Sequence, residues 1–130
     1  MEYLNLEVKK VVKETKDAVS VHFNQPKEDT IKYKSGQFLT FILDIDGNEE
    51  RRAYSLCSSP YVDSDLAVTV KRVNKGLVSN YINDNVKEGD TIKVLAPTGA
   101  FTLVPDSSKE RHIVLLGGGC LLYTSDAADE

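Results

Sequence analysis

The chain is poor in the residues that most readily bind metal or cross-link a fold. Its 130 residues include two cysteines, Cys57 and Cys120, and two histidines, His22 and His112. So few cannot build a multi-bridge disulfide framework or a four-ligand zinc centre, and no metal site is expected. Long apolar runs are missing too. The longest, Ile113 to Leu116, is far short of the roughly 20 residues that cross a bilayer as a helix. Met1 opens a polar, alternating stretch without signal-peptide character, so a cytoplasmic setting with no membrane partner is expected. Nor is there a basic excess: the net charge of −4 argues against nucleic acid as a partner, because binding phosphate backbones needs clustered cations. What remains is an ordinary globular composition, 41% hydrophobic and 28% charged, of a length that predicts one domain.

Alternation of apolar and polar residues dominates the chain and predicts strands. Tyr3–Glu14 reads as a long strand, and Thr15-Lys16-Asp17 turns it into Ala18–Phe23. His22 falls between apolar neighbours and is expected on the surface, opposite the core face. After a polar loop from Lys27 to Ser35, Gly36 opens the most apolar strand, Gln37–Ile45. Asp46-Gly47-Asn48 is a hairpin turn, since Gly47 tolerates positive φ. It leads into a strand that Pro60 and Asp63-Ser64-Asp65 close, and Leu66–Val73 is the next. A short helix is expected over Leu77–Val86, ended by Gly89. Thr91–Ala96 is a further strand, with a turn at Pro97–Phe101. Strands joined by hairpins, with one short helix, predict an all-β, six-stranded antiparallel Greek-key barrel.

The stretch Arg51-Arg52-Ala53-Tyr54-Ser55-Leu56-Cys57-Ser58-Ser59-Pro60 concentrates the chemistry. On a strand, Arg52 and Tyr54 share one face and Ser55 takes the other. The guanidinium offers a fork of donors to phosphate and the phenol a π-face with a polar tip, so a nucleotide-like cofactor fits both. Both residues would equally suit the solvent face of an antiparallel strand. A second anion site is available at Gly76-Leu77-Val78-Ser79, where unpaired N–H groups at a helix start carry partial positive charge. Ser79 would add a hydroxyl there, or serve as a plain helix cap. Near the end, Ile113–Leu116 runs into Gly117-Gly118-Gly119, as a buried parallel strand entering a nucleotide-binding turn does. A buried terminal barrel strand reads the same way.

Five motifs in order make the chain resemble the flavin-binding domain of the ferredoxin–NADP reductase superfamily. They are G-Q-F at Gly36-Gln37-Phe38, R-x-Y-S at Arg52-Ala53-Tyr54-Ser55, G-x-x-S at Gly76–Ser79, P-x-G-x-F at Pro97–Phe101, and the strand with three glycines at Ile113–Gly119. Within that superfamily the chain looks most like reductase components of multicomponent oxygenases, that of phenylacetyl-CoA epoxidase among them. The resemblance implies an NAD(P)H-dependent flavin oxidoreductase that binds FAD, less readily FMN. It would pass electrons to a 2Fe-2S centre, an oxygenase or a ferredoxin-like acceptor, the cluster and the NAD(P)H site belonging to the full-length protein. By the same resemblance, Arg52 holds the flavin pyrophosphate. Tyr54 stacks on the isoalloxazine ring and Ser55 hydrogen-bonds near its redox-active nitrogen, and these two are the expected catalytic residues. Ala53 belongs to the same motif. Val70 and Lys71 present backbone to the pyrimidine edge, and Gly76, Leu77, Val78 and Ser79 cap the phosphates.

The resemblance divides the chain into a flavin-binding barrel over residues 1–104, a linker over 105–110, and the first strand and glycine turn of a truncated NAD(P)-binding domain over 111–119. It stops at Gly119. Relatives continue with a turn and helix, whereas Cys120–Glu130 here resembles translated sequencing adapter and is expected to be non-native. Without its Asp126, Asp129 and Glu130 the net charge moves from −4 to −1. With so little of a nicotinamide domain, the chain by itself is expected not to turn over NAD(P)H. The rival reading, from a different class, is a flavin-free barrel acting as a binding or accessory module.

Overall fold

The computed structural model describes residues 2–117. Six strands and one helix follow in order: β1 (Tyr3–Thr15), β2 (Ala18–Phe23), β3 (Phe38–Ile45), β4 (Asn48–Ser55), β5 (Leu66–Lys71), α1 (Leu77–Asn85) and β6 (Thr91–Thr98). They make one six-stranded antiparallel sheet in the order β4-β3-β6-β1-β2-β5. The thirteen-residue β1 bends it: Tyr3–Glu7 pairs with β6 and Val8–Thr15 with β2, with a register slip between Val8 and Lys10 at the changeover. Such an irregularity increases local twist. The expected barrel takes the form of a sheet whose outer strands, β4 and β5, do not pair as a ladder. They touch through a single bridge between Leu56 and Val68, followed by Cys57 N–H donating to the Ala67 carbonyl at 2.8 Å.

Alternation placed the faces correctly. Val19, Val21 and Phe23 of β2, Leu39 and Phe41 of β3, and Val68 and Val70 of β5 are buried in one core, which Val78 and Ile82 of α1 complete. His22 faces away from Val21 and Phe23, as its place in the alternation required, but is half-buried, and this burial lowers its pKa. Among the described residues no helix is long and apolar enough to cross a membrane, and no cluster of three or more His, Cys, Asp or Glu residues could hold a metal ion.

Three strand ends differ from expectation, each for a local reason. β4 begins at Asn48, because Asp46 (φ 54°) and Gly47 (φ 83°) form a two-residue loop whose twist matches the flanking strands. β5 stops at Lys71: Arg72 N–H donates to the Asp17 carbonyl at 2.6 Å, and Val73 N–H is taken by the Ser79 hydroxyl. β6 runs on through Pro97 to Thr98. Proline is tolerated there because the β3–β6 register slips between the Phe38–Thr98 and Thr40–Leu95 pairs, so no ladder bond is lost. Over the described residues 104–117 there is no strand or helix, and Ile113 to Leu116 are exposed. A lone apolar strand gains nothing without neighbours to pair with. Gly118, Gly119 and the tail expected over 120–130 lie outside the described residues.

Gly36 joins the start of β3 to the segment after β6. It has φ +100°, and a Cβ built on it falls 2.0 Å from the Phe101 carbonyl oxygen, beside the bridge from Ser35 to Leu103. Gly47 has a similar φ but nothing within 4 Å. Gly47→Ala is therefore expected to cost only the backbone strain, about 1 kcal/mol. Gly36→Ala adds a backbone clash and should lose roughly 2–4 kcal/mol. Urea unfolding of both variants measures the difference; equal losses would mean that the Gly36–Phe101 approach relaxes freely.

Candidate functional site

Where β4 and β5 part company beyond their single bridge, a cavity of about 510 Å³ opens and the start of α1 closes one side. Arg52, Ala53, Tyr54, Ser55, Leu56 and Cys57 form one wall, Thr69, Lys71 and Val73 a second, and Gly76, Leu77, Val78 and Ser79 the third. Nine of the ten candidate residues from sequence thus surround one space. The tenth, Val70, does not line it: its side chain is fully buried in the core, and its carbonyl accepts a bond from Asn83 Nδ2 at 3.2 Å. Thr69 and Lys71, its neighbours on the opposite face of β5, take the wall instead.

Strand register orients the first wall. Arg52 lies opposite Phe41 and Tyr54 opposite Leu39, so both face the same way, while Ser55 lies opposite Phe38 on the other face. The Tyr54 ring packs edge-on to Phe41, with centroids 5.3 Å apart and planes at 72°. Phe41 packs in the same manner on Phe23, at 5.7 Å. Three rings therefore run from the centre of the core to the cavity, and edge-to-face packing adds about 0.5–1.5 kcal/mol per pair beyond area burial. Tyr54 is in this way anchored to the core through Phe41. Arg52 is looser. Its Nη1 donates to the Arg51 carbonyl at 2.7 Å and lies 3.5 Å from a Glu50 carboxylate oxygen, with half of the side chain exposed. An exposed ion pair of that kind contributes little, so an arriving anion can take the guanidinium.

The third wall is built by side chains that bond to backbone. Ser79 Oγ accepts the Val73 N–H at 2.9 Å, Asn80 Nδ2 donates to the Val73 carbonyl at 3.0 Å, and Gly76 N–H donates to the same carbonyl at 2.7 Å. Gly76 is the cap residue, and no side chain caps the helix. Ser79 is thus neither the cap nor an open hydroxyl: it is 6% exposed and engaged with the turn. No acidic residue stands in the first turn, and among the described residues no carboxylate lines the cavity. The helix start therefore keeps its partial positive charge, beside the guanidinium of Arg52 and the ammonium of Lys71. Farther along α1, Arg72 bonds Asp84 at 2.6 Å, which holds the Asp84 carboxyl below its usual range and ties the helix to the end of β5.

Sequence reasoning did not single out Leu56, Cys57, Thr69 or Val73 as site residues. The signal for two of them was present: Cys57 follows Ser55, and Thr69 precedes Lys71, by the two-residue step that keeps strand neighbours on one face. A flat ring edge, a cationic end and a largely apolar lining suit a large aromatic ligand that carries phosphate.

Comparison with known proteins agrees with this chemistry. The model of the oxidoreductase FAD-binding domain matches residues 5–103. The chain is 34% identical over 117 residues to a component of the 1,2-phenylacetyl-CoA epoxidase of Escherichia coli, covering 88% of this chain and 33% of that protein. It is 42% identical over 117 residues to the ferredoxin reductase component of 3-ketosteroid-9-alpha-monooxygenase from Rhodococcus rhodochrous, covering 88% and 32%. In structure it resembles the flavohem-like FAD/NAD binding domain of nitric oxide dioxygenase from Vibrio cholerae, with a TM-score of 0.68 and 29% identity over 79% of this chain and 46% of that one. The chain spans about a third of the length of the curated relatives it matches.

The bond from Val73 to Ser79 gives a direct test of what the serine does. Ser79→Ala leaves the Val73 N–H without its partner in a part-buried place and should cost about 1–3 kcal/mol of stability in urea unfolding. Unchanged stability would show that the hydroxyl is dispensable to the fold.

Proposed function

The chain belongs to the oxidoreductase FAD-binding domain family, and on that premise we propose that the cavity between β4, β5 and α1 is its flavin site. The observation that carries the proposal is convergence: residues from three separate segments, 52–57, 69–73 and 76–79, meet around one space with a tyrosine ring on its wall. In this reading the Tyr54 ring, held edge-on by Phe41, is the platform for the isoalloxazine, and Ser55 and Lys71 meet its polar edge. Arg52 and the free N–H groups of Leu77, Val78 and Ser79 hold the pyrophosphate. Ala53 leaves room beside the ring, having only a methyl group. Val70 contributes to the site through the strand that carries its neighbours, not through its side chain. Val73 and Leu77, both exposed apolar residues on the cavity wall, offer a surface to the adenine half, which favours FAD over FMN.

Bound flavin would supply the redox chemistry, taking two electrons together and releasing them singly. The relatives' names support a place in the reductase component of an oxygenase system; in this reading the whole protein takes electrons from NAD(P)H and passes them through a 2Fe-2S centre to an oxygenase or a ferredoxin-like acceptor. We further read residues 1–104 as a Greek-key barrel joined at the β4–β5 bridge, 105–110 as a linker, and 111–119 as the first strand of an NAD(P)-binding domain. The exposed Ile113–Leu116 run supports the last division, since such residues need a sheet and covering helices.

Mixing the purified chain with FAD and recording visible absorbance separates this reading from a flavin-free binding module, which would leave the flavin spectrum unperturbed. Titration of variants tests the assignments. Arg52→Ala removes a charge-assisted bond worth roughly 1.5–3 kcal/mol and should weaken FAD binding about ten- to a hundredfold. Tyr54→Phe keeps the ring and should cost less. If the phenylalanine variant is the weaker binder, Arg52 is not the phosphate anchor.

A further inference from the structure

Beside the groups assigned above, a chain of side chains reaches the cavity from within the sheet. Ser20 on β2 and Thr69 on β5 are register partners. Ser20 is 6% exposed, and its Oγ lies 2.9 Å from Thr69 Oγ1. Thr69 Oγ1 in turn lies 3.3 Å from the Cys57 sulfur. Thr69 and Cys57 both line the cavity. Cys57 is also fixed through its backbone, since its N–H donates to the Ala67 carbonyl at 2.8 Å. Strand alternation carries Cys57 to the same side as Ser55, with Leu56 buried between them.

Two contacts join three groups that each carry one proton. A hydroxyl is a stronger donor than a thiol, and sulfur accepts only weakly. Ser20 is buried, so its proton needs an acceptor close by, and Thr69 is that acceptor. Thr69 then has its own proton to give to sulfur. The direction Ser20 to Thr69 to Cys57 satisfies all three and leaves the thiol proton facing the open side, which is the cavity.

We propose that Thr69 is a positioning residue of the flavin site: held by Ser20, its hydroxyl fixes the Cys57 thiol on the wall beside Ser55, with the S–H directed at the polar edge of the bound isoalloxazine. The proposal rests on the reading of the cavity as the flavin site. Its ligand-independent part is the Thr69–Cys57 contact, and its ligand-dependent part is the nearness of that thiol to flavin. A donor at this edge favours the electron-rich, reduced form, so its loss should lower the flavin's midpoint potential.

The test is alkylation of Cys57 by iodoacetamide, followed by peptide mass mapping so that Cys120 is counted separately, in the wild type, Thr69→Val and Thr69→Ser, each with and without FAD. Valine keeps the β-branched shape and removes only the hydroxyl. Without FAD, Thr69→Val should alkylate about threefold faster at fixed pH, because the sulfur is no longer held by the Thr69 hydroxyl, and Thr69→Ser should return to the wild-type rate. FAD should protect Cys57 several-fold in the wild type. Loaded with FAD, Thr69→Val should show shifted flavin absorption bands and a lower midpoint potential, both restored by Thr69→Ser. An apo Thr69→Val that alkylates at the wild-type rate overturns the positioning role. FAD that binds, by its spectrum, yet leaves Cys57 unprotected overturns the placement of the thiol while keeping the flavin site. FAD that fails to bind the wild type at all overturns the flavin reading and the S–H assignment with it.

Discussion

Everything at the site depends on how β4 and β5 fail to pair. Both are outer strands of the ladder, and their one bridge, Leu56 to Val68, comes where β4 has already ended. Had they paired along their length, ladder bonds between their backbones would close the gap between them. A single bridge holds the two strands at one end and lets them spread at the other, so the residues of the wedge face a cavity instead of each other. The bridge is reinforced from behind. Ser58 Oγ accepts the Ala67 N–H at 3.1 Å and contacts the Tyr33 hydroxyl at 2.7 Å, in a setting whose burial raises the Tyr33 pKa. The seam is thus fixed from both sides, by Leu56 and Cys57 on the cavity wall and by Ser58 and Tyr33 outside it.

The helix start follows a related division of labour. Ser79, Asn80 and Asn83 spend their side chains on the carbonyls and N–H groups of Val70, Val73, Gly76 and Ser79 itself, which docks α1 on the end of β5. The backbone N–H groups of the first turn, which no helix satisfies by itself, are the donors this arrangement leaves for the proposed phosphate contact. The G-x-x-S spacing makes sense on these terms. Gly76 makes the cap without a side chain, and the serine three residues on reaches back to the turn that precedes it.

Core faces were readable from alternation in β2, β3 and β5, although Ser20, Ile42 and Ala67 on their second faces are buried as well. Strand ends were not, because tertiary bonds set them: Arg72 is drawn off β5 by the Asp17 carbonyl, and Pro97 continues β6 only because the register slips beside it. The cavity wall was legible where a motif names a residue type of evident chemistry: Arg52 and Tyr54, chosen for a guanidinium and a ring, both line it. It was illegible where the use depends on a partner far along the chain. Cys57 and Thr69 are twelve residues apart, and Thr69 meets Ser20 across forty-nine. Nothing local in the sequence announces that contact. Val70 was the converse case: named by resemblance for its backbone, it has a side chain that belongs to the core, while its neighbours on either side reach the cavity.

Net charge misleads in a similar manner. A chain of net charge −4 is a poor candidate for a phosphate-bearing partner if charge is taken as spread over its surface. Charge acts over about 8–10 Å at physiological salt, so the composition of one cavity wall outweighs the total. Arg52 and Lys71 line the space together with an uncompensated helix start, and among the described residues no carboxylate lines it. Glu50 is the nearest exception, and it pairs with Arg52 from outside the lining, at 3.5 Å and with part of its own side chain in water. That carboxylate keeps the guanidinium beside the cavity when nothing is bound, at little energetic cost to its release.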